Sequence, residues 1–139
     1  MTIEDFNQIK DILLTEFDDF WSVKTLQEEL QSENKIYFVI KQEQEVVGFV
    51  GGLQLINEID IMNIVIKKTH RNMGLASKLM EHMIKYAKES SFKKITLEVN
   101  EKNITAIKLY EKYGFKPVGK RKEYYKEDTA IIMHLSLEN

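Results

Sequence analysis

There is no cysteine in this 139-residue chain, which excludes a disulfide framework and any thiolate-held metal. Proline occurs once and glycine six times, too few for a flexible linker or a low-complexity segment. No apolar run reaches the roughly 18–20 residues that span a bilayer. Neither sign of charge dominates. Twenty basic against 22 acidic side chains leave a net charge of −2, so the chain carries no global electrostatic footprint for nucleic acid. The first residues, Met1 to Phe6, lack the basic stretch and apolar core of a signal peptide. His70, His82 and His134 show no metal-ligand spacing with acidic partners. Together these absences predict a cytoplasmic protein without a metal, and the length predicts one domain over residues 1–139 with a core large enough to fold.

The hydropathy pattern is regular. Phe6, Ile9, Ile12, Leu13 and Phe17 repeat at helical spacing over Glu4–Phe17, and Ser22 caps a second expected helix through about Gln31. Ile36–Ile40 and Val46–Leu55 read as strands around a polar turn at Gln42–Glu45, with Gly48, Gly51 and Gly52 suggesting a bulge. Ile59–Ile66 is a third strand. Leu75, Leu79, Met83, Ile84 and Ala87 form one stripe of a helix over Leu75–Glu89. Lys94–Asn100 alternates as a strand, Asn103 caps a short helix to Lys112, and Gly114 stops it. Lys116–Tyr124 and Asp128–Leu137 read as a closing antiparallel pair. The order α-α-β-β-β-α-β-α-β-β implies an α/β (α+β) domain, a mixed central sheet with one parallel crossover and helices on both faces.

Between the third strand and its helix lies Arg71-Asn72-Met73-Gly74-Leu75-Ala76. The first N–H groups of a helix lack internal partners, and the helix dipole favours negative charge there. Gly74 lets an anion approach the backbone, Ala76 keeps the next turn small, and Arg71 adds a positive charge. The local physics describes a pyrophosphate cradle; by itself the same pattern also fits a plain tight turn. Neither of the two best-known phosphate-loop patterns is present.

Arg71-x-x-Gly74-x-Ala76 matches the acyl-CoA motif of the GCN-five-related (GNAT) N-acetyltransferases, and the order of elements resembles theirs. Leu97-Glu98-Val99-Asn100, then Asn103, Ala106, Leu109-Tyr110-Glu111, Gly114-Phe115, Gly119-x-Arg121 and Tyr124-Tyr125 resemble the ribosomal-protein-alanine (RimI-type) N-acetyltransferases. Asp128–Met133 and Phe20-Trp21-Ser22 continue that similarity, which covers nearly the whole chain. Two features depart from it. The usual first edge strand is reduced to Met1–Ile3 or missing, and Ala76 stands where the nearest relatives often carry glycine.

The resemblance implies an acetyl-CoA-dependent transfer to an amine, by direct attack and without a metal. It implies Glu98 as general base, directly or through water, and Tyr110 as general acid toward the CoA sulfur. Position alone would read Glu98 as a sheet-face glutamate and Tyr110 as a core tyrosine. The CoA site implied comprises the backbone of Ile64, Val65 and Ile66, the cradle Arg71, Asn72, Met73, Gly74, Leu75, Ala76 and Ser77, and Asn103 with Tyr110. Trp21, Glu58, Tyr124 and Tyr125 are the implied acceptor contacts, and the resemblance implies that an acidic residue at the start of the third strand, which carries Glu58 and Asp60, lines the amine groove; a solvated strand end fits these two equally well. The leading acceptor is the N-terminal alanine of a ribosomal protein. A small-molecule amine, a polyamine, a lysine side chain, or a CoA-binding module without catalysis stay open, as does the choice between monomer and homodimer.

Overall fold

The computed structural model describes residues 34–71, 74–122 and 129–138. The two helices expected before residue 34 and the short strand at Met1–Ile3 lie outside these residues. Strand β1 (Lys35–Gln42) turns into β2 (Glu45–Gln54) through Glu43 and Gln44, whose φ values of 52° and 70° give the left-handed pair of a tight hairpin. Strand β3 (Glu58–Ile66) leads through a short 3-10 turn, Lys68–His70, to helix α1 (Leu75–Glu89). Strand β4 (Lys94–Asn100), helix α2 (Ile104–Lys112), β5 (Lys116–Lys122) and β6 (Thr129–Ser136) complete the order. The expected closing strands are found over Lys116–Lys122 and Thr129–Ser136, and residues 123–128 lie outside the described residues.

The strands form one six-stranded sheet in the order β1-β2-β3-β4-β6-β5. All neighbours are antiparallel except β3 and β4. That single parallel pair follows from the crossover through α1, since parallel neighbours need a connection long enough to return to the same end. Both described helices pack on one face. Ile59, Ile61, Ile95, Leu97, Val99 and Met133 meet Leu79, Met80, Met83 and Ala87 of α1 there, with Tyr110 of α2 and Phe115 closing the same core. The opposite face also buries Tyr37, Phe49 and Val65.

Three bulges mark the sheet among the described residues, one of them in β5, where Pro117 faces Met133 and Gly119 faces Ile132, so Val118 is the extra residue. Lys41 faces Val46 while Ile40 faces Gly48, so Val47 is the extra residue in β2. Gly51 faces Asn63 while Gly52 faces Ile61, so Met62 is the extra residue in β3. The β2 glycines flank both of the others: Gly48 follows Val47 in the β2 bulge, and Gly51 and Gly52 face the β3 bulge across the pairing. The consequence of the β3 bulge is visible in the strand itself: Ile59, Ile61, Ile64 and Ile66 all join the helix-side core although Ile61 and Ile64 are an odd three positions apart. A bulge is the only way a strand keeps both on one face.

Gly51 is required by packing. A Cβ there would lie 2.5 Å from Cε1 of the buried Tyr37 ring. Gly51→Ala is expected to destabilise the protein by about 1–3 kcal/mol, the scale of an overpacked core. An unchanged denaturant midpoint would show that the ring can move aside.

Candidate active site

The parallel pairing of β3 with β4 runs through Glu58–Lys94, Ile59–Ile95, Asp60–Thr96 and Ile61–Leu97, and stops there. Met62 bulges at the next position, and the strands part. Past this fork β3 still pairs with β2, and β4 with β6, but the edge of β3 that faced β4 has lost its partner. Two clefts border the fork.

The first lies on the helix side and has a volume of about 370 Å³. Ile64 and Ile66 of β3 form one wall, Asn103, Ala106, Leu109 and Tyr110 the other, and Arg71 with Gly74 to Ser77 closes one end. Gly74 has φ +74°, the left-handed conformation that glycine adopts without strain, and a Cβ there would project into open space. It serves as N-cap of the 15-residue α1 but supplies no side-chain cap, and no acidic residue occupies the first turn. Gly74 thus leaves the N–H groups of that turn without a cap of its own, a place that suits an anion. Arg71 Nε donates to the Ile66 carbonyl at 3.3 Å, which ties the loop to the strand end. These features fit the pyrophosphate and pantetheine arm of a CoA thioester. Asn72 and Met73 lie outside the described residues, and the buried Val65 points its side chain to the other face.

Asn103 carries the cap expected of it: its Oδ1 accepts the Ala106 N–H at 3.1 Å. Because it also lines the cleft, Asn103→Ala should have two effects. It should cost roughly 1 kcal/mol of stability, the usual value of an N-cap, and it should weaken CoA binding. Calorimetric titration with CoA, set beside thermal melting, separates the two.

Tyr110 is 7% exposed and packs its ring 5.9 Å from that of Phe115. Burial pushes its phenol up to about 12. The group stays protonated throughout the neutral range, as a proton donor must.

The second cleft, about 580 Å³, opens on the other face between Asp60 and Met62 of β3 and Thr96, Glu98 and Asn100 of β4, with Ala130 and Ile132 of β6. Glu98 does not lie half-buried in it. Its side chain is 39% exposed and is held by Arg121, whose Nε and Nη2 donate to Oε1 and Oε2 at 2.9 and 2.5 Å. Arg121 reaches it from β5 across β6, where its register neighbour is the small Ala130. This two-pronged pair fixes the carboxylate at the lip of the fork. It takes up two of roughly four lone-pair directions of the carboxylate.

The other carboxylate in this groove is Asp60. Its Oδ1 accepts a hydrogen bond from Thr96 Oγ1 at 3.1 Å. Burial holds its carboxyl above the usual aspartate range; the Thr96 hydrogen bond pulls it back, and the charges of Glu58 and Glu98 push it the same way as burial. Glu58 itself sits at the closed end of the parallel pair and lines a separate cleft with Lys94, His134 and Ser136. The structure thus brings Glu98 and Asp60 together and leaves Glu58 one pleat away. Trp21, Tyr124 and Tyr125 lie outside the described residues. His82 packs against the edge of Phe38, ring centroids 4.4 Å apart.

A parallel strand pair split by a bulge, with an anion-binding helix start on one side and a carboxylate-lined groove on the other, is the architecture of an acyl-CoA-dependent N-acyltransferase. The chain belongs to the acetyltransferase (GNAT) family, which it matches over residues 6–115, and it is an N-acetyltransferase. It is 32% identical over 121 residues to the ribosomal protein bS18-alanine N-acetyltransferase of Escherichia coli (strain K12), covering 84% of this chain and 81% of that protein. A Bacillus subtilis (strain 168) protein, named provisionally for the same activity, is 29% identical over 140 residues, 99% of this chain and 93% of its own. The crystal structure of the E. coli ribosomal-protein-S18-alanine N-acetyltransferase superposes with a TM-score of 0.90 at 27% identity, covering all of this chain and 92% of the other. A Bacillus anthracis protein of this fold, solved in complex with acetyl coenzyme A, is 27% identical with a TM-score of 0.71 and covers 80% of this chain and 67% of that one.

Proposed function

We propose that this N-acetyltransferase takes acetyl-CoA as donor and acetylates the α-amine of a protein N-terminus, with the N-terminal alanine of a ribosomal protein as leading acceptor, in the cytoplasm. The observation that carries the reading is the fork itself. It sets a cleft suited to a thioester arm and an open groove for an amine on opposite sides of one gap, in a chain that follows the E. coli enzyme along its length.

The roles follow from what each group can do. The α1 N-terminus, Arg71 and the backbone of residues 72–77 bind the pyrophosphate. The free edge of β3 over Ile64–Ile66 offers backbone groups to the pantetheine in the manner of an added strand. An ammonium has no lone pair, so the acceptor must lose a proton before attack. Glu98 is the acceptor of that proton, directly or through a water in the groove. Tyr110, kept neutral by burial, gives a proton to the departing CoA thiolate. The thioester carbonyl gains negative charge during attack and is stabilised best by donors fixed in advance.

A panel assay tests the acceptor. CoA release is measured with an alanine-ended peptide, an N-blocked lysine peptide, spermidine and free amino acids. Turnover with the alanine-ended peptide alone is expected. Turnover only with spermidine or amino acids would move the acceptor to a small amine. Turnover with none would contradict the reading.

A further inference from the structure

Among the described residues one charged side chain is buried, and it stands at the root of the cradle. Lys67 directly follows β3. Its side chain is 11% exposed, and its ammonium pairs with the carboxylate of Glu45, the first residue of β2. Taking an ammonium out of water is unfavourable, and a carboxylate that is itself 49% exposed offsets only part of that. A methionine would fill the same space without the penalty. Stability therefore does not account for the pair, and its position must.

Backbone geometry brings the two residues together. The last β2–β3 rung is Gly48–Ile66. One step beyond it the Lys67 N–H donates to the carbonyl of Val47, the extra residue of the β2 bulge, at 2.8 Å. The bulge thus carries the hairpin end to Lys67. On its other side Lys67 opens the turn into the helix-side cleft. Its carbonyl accepts the His70 N–H at 2.8 Å, and His70 and Arg71 line that cleft beside Gly74. Arg71 in turn donates to the Ile66 carbonyl. The hydrogen bond and charge of Lys67 hold the Glu45 carboxyl below the usual glutamate range, and the charge of His70 acts in the same direction. The turn over residues 67–71 is thus tied to β3 by Arg71 and to the hairpin by Glu45.

We propose that the Glu45–Lys67 pair positions the acetyl-CoA cradle: it clamps the root of this turn to the β1–β2 hairpin, so that Arg71 and the start of α1 stand ready for the pyrophosphate. This rests on the reading of the helix-side cleft as the acetyl-CoA site. Neither residue lines that cleft, so both act through the turn. A phosphate site that holds its binding geometry for about a tenth of the time binds about tenfold more weakly.

The test compares two ligands by direct titration: acetyl-CoA, and S-acetylpantetheine, which keeps the arm but lacks the pyrophosphate and the nucleotide. The wild-type protein is expected to bind acetyl-CoA at least about a hundredfold more tightly, the scale of two hydrogen bonds to charged groups. In Lys67→Met and in Glu45→Gln the affinity for acetyl-CoA should fall by about tenfold, with that for S-acetylpantetheine unchanged within about twofold. In kinetics KM for acetyl-CoA should rise by a similar factor while kcat at saturation stays within about threefold, the signature of lost binding common to ground and transition states.

Stability separates positioning from a structural role. Lys67→Met removes the buried charge and leaves Glu45 in contact with water, so its melting temperature should be equal or higher. Glu45→Gln leaves the ammonium with a neutral partner and should melt lower. A purely structural pair would give cofactor losses that follow these opposite shifts, whereas positioning gives the same loss in both. Should either variant fail to fold, the other decides. Acetyl-CoA affinity kept at the wild-type level, or an equal loss for both ligands, would overturn the proposal. A wild-type protein that binds the two ligands equally would overturn it together with the reading of the cleft on which it rests.

Discussion

Glu98→Gln is expected to lower kcat by roughly 10² or more, and Tyr110→Phe by a similar factor, the usual range for removing a general base or acid. Both substitutions keep shape. The amide that replaces the Glu98 carboxylate can still accept from Arg121 but cannot take a proton from an ammonium. The phenyl ring that replaces Tyr110 fills the same pocket without the hydroxyl. The ion pair lost in Glu98→Gln is largely exposed, and exposed pairs contribute about 0–1 kcal/mol, so stability should barely change. Acetyl-CoA affinity should also survive, since the cradle is untouched. The two losses need not multiply in the double variant, because groups serving one transfer act as a unit. In the wild type the rate should rise with pH as the acceptor amine loses its proton. It should not fall again through tyrosine ionisation in the mildly alkaline range, because burial delays the loss of the Tyr110 proton to about 12. Turnover at the wild-type rate in both variants would remove the two residues from the mechanism.

Phe115→Ala should carry the largest cost in stability, about 3–5 kcal/mol, as for other buried aromatic truncations. Phe115 is 2% exposed and sits just after the stop of α2. There Gly114 turns with φ +97°, and the Phe115 N–H reaches back to the Tyr110 carbonyl at 3.1 Å. Its ring supports that of Tyr110. The substitution therefore opens a cavity beneath the proton donor as well as under the sheet. Activity should drop by more than the unfolded fraction accounts for, and Phe115→Leu, which refills most of the volume, should recover both. Chemical denaturation followed beside kcat distinguishes this from simple loss of folded protein. A change below about 1 kcal/mol would mean the core collapses around the gap.

Local pattern and tertiary placement divide what the chain alone reveals. The strands, α1, α2 and their caps are readable from periodicity and from Asn103 and Gly114, because these depend on neighbours close in sequence. The glycines of β2 point to the bulge beside Gly48, while the β3 bulge opposite Gly51 and Gly52 shows only in the spacing of Ile61 and Ile64. The pairing of Arg121 with Glu98 is not readable. The two residues lie on strands separated by β6, and the order β4-β6-β5 is a property of the whole sheet. Alternation does place Glu98 on the open sheet face, where it is found, but the guanidinium that clamps it there cannot be read from its neighbours in sequence. Glu58 and Asp60 are two residues apart on one face, so sequence cannot rank them. What separates them is where the parallel pairing ends, with Asp60 opening into the groove and Glu58 remaining at the closed end.

The central claim is transfer of an acetyl group from acetyl-CoA to an N-terminal α-amine. The most direct measurement gives the protein one peptide carrying both a free N-terminal alanine and an internal lysine, and locates the added acetyl by tandem mass spectrometry. A single acetyl on the alanine nitrogen, absent from the Glu98→Gln and Tyr110→Phe double variant, is the result expected. An acetyl on the lysine with the alanine left free, or a peptide left unmodified while spermidine is acetylated, would contradict it.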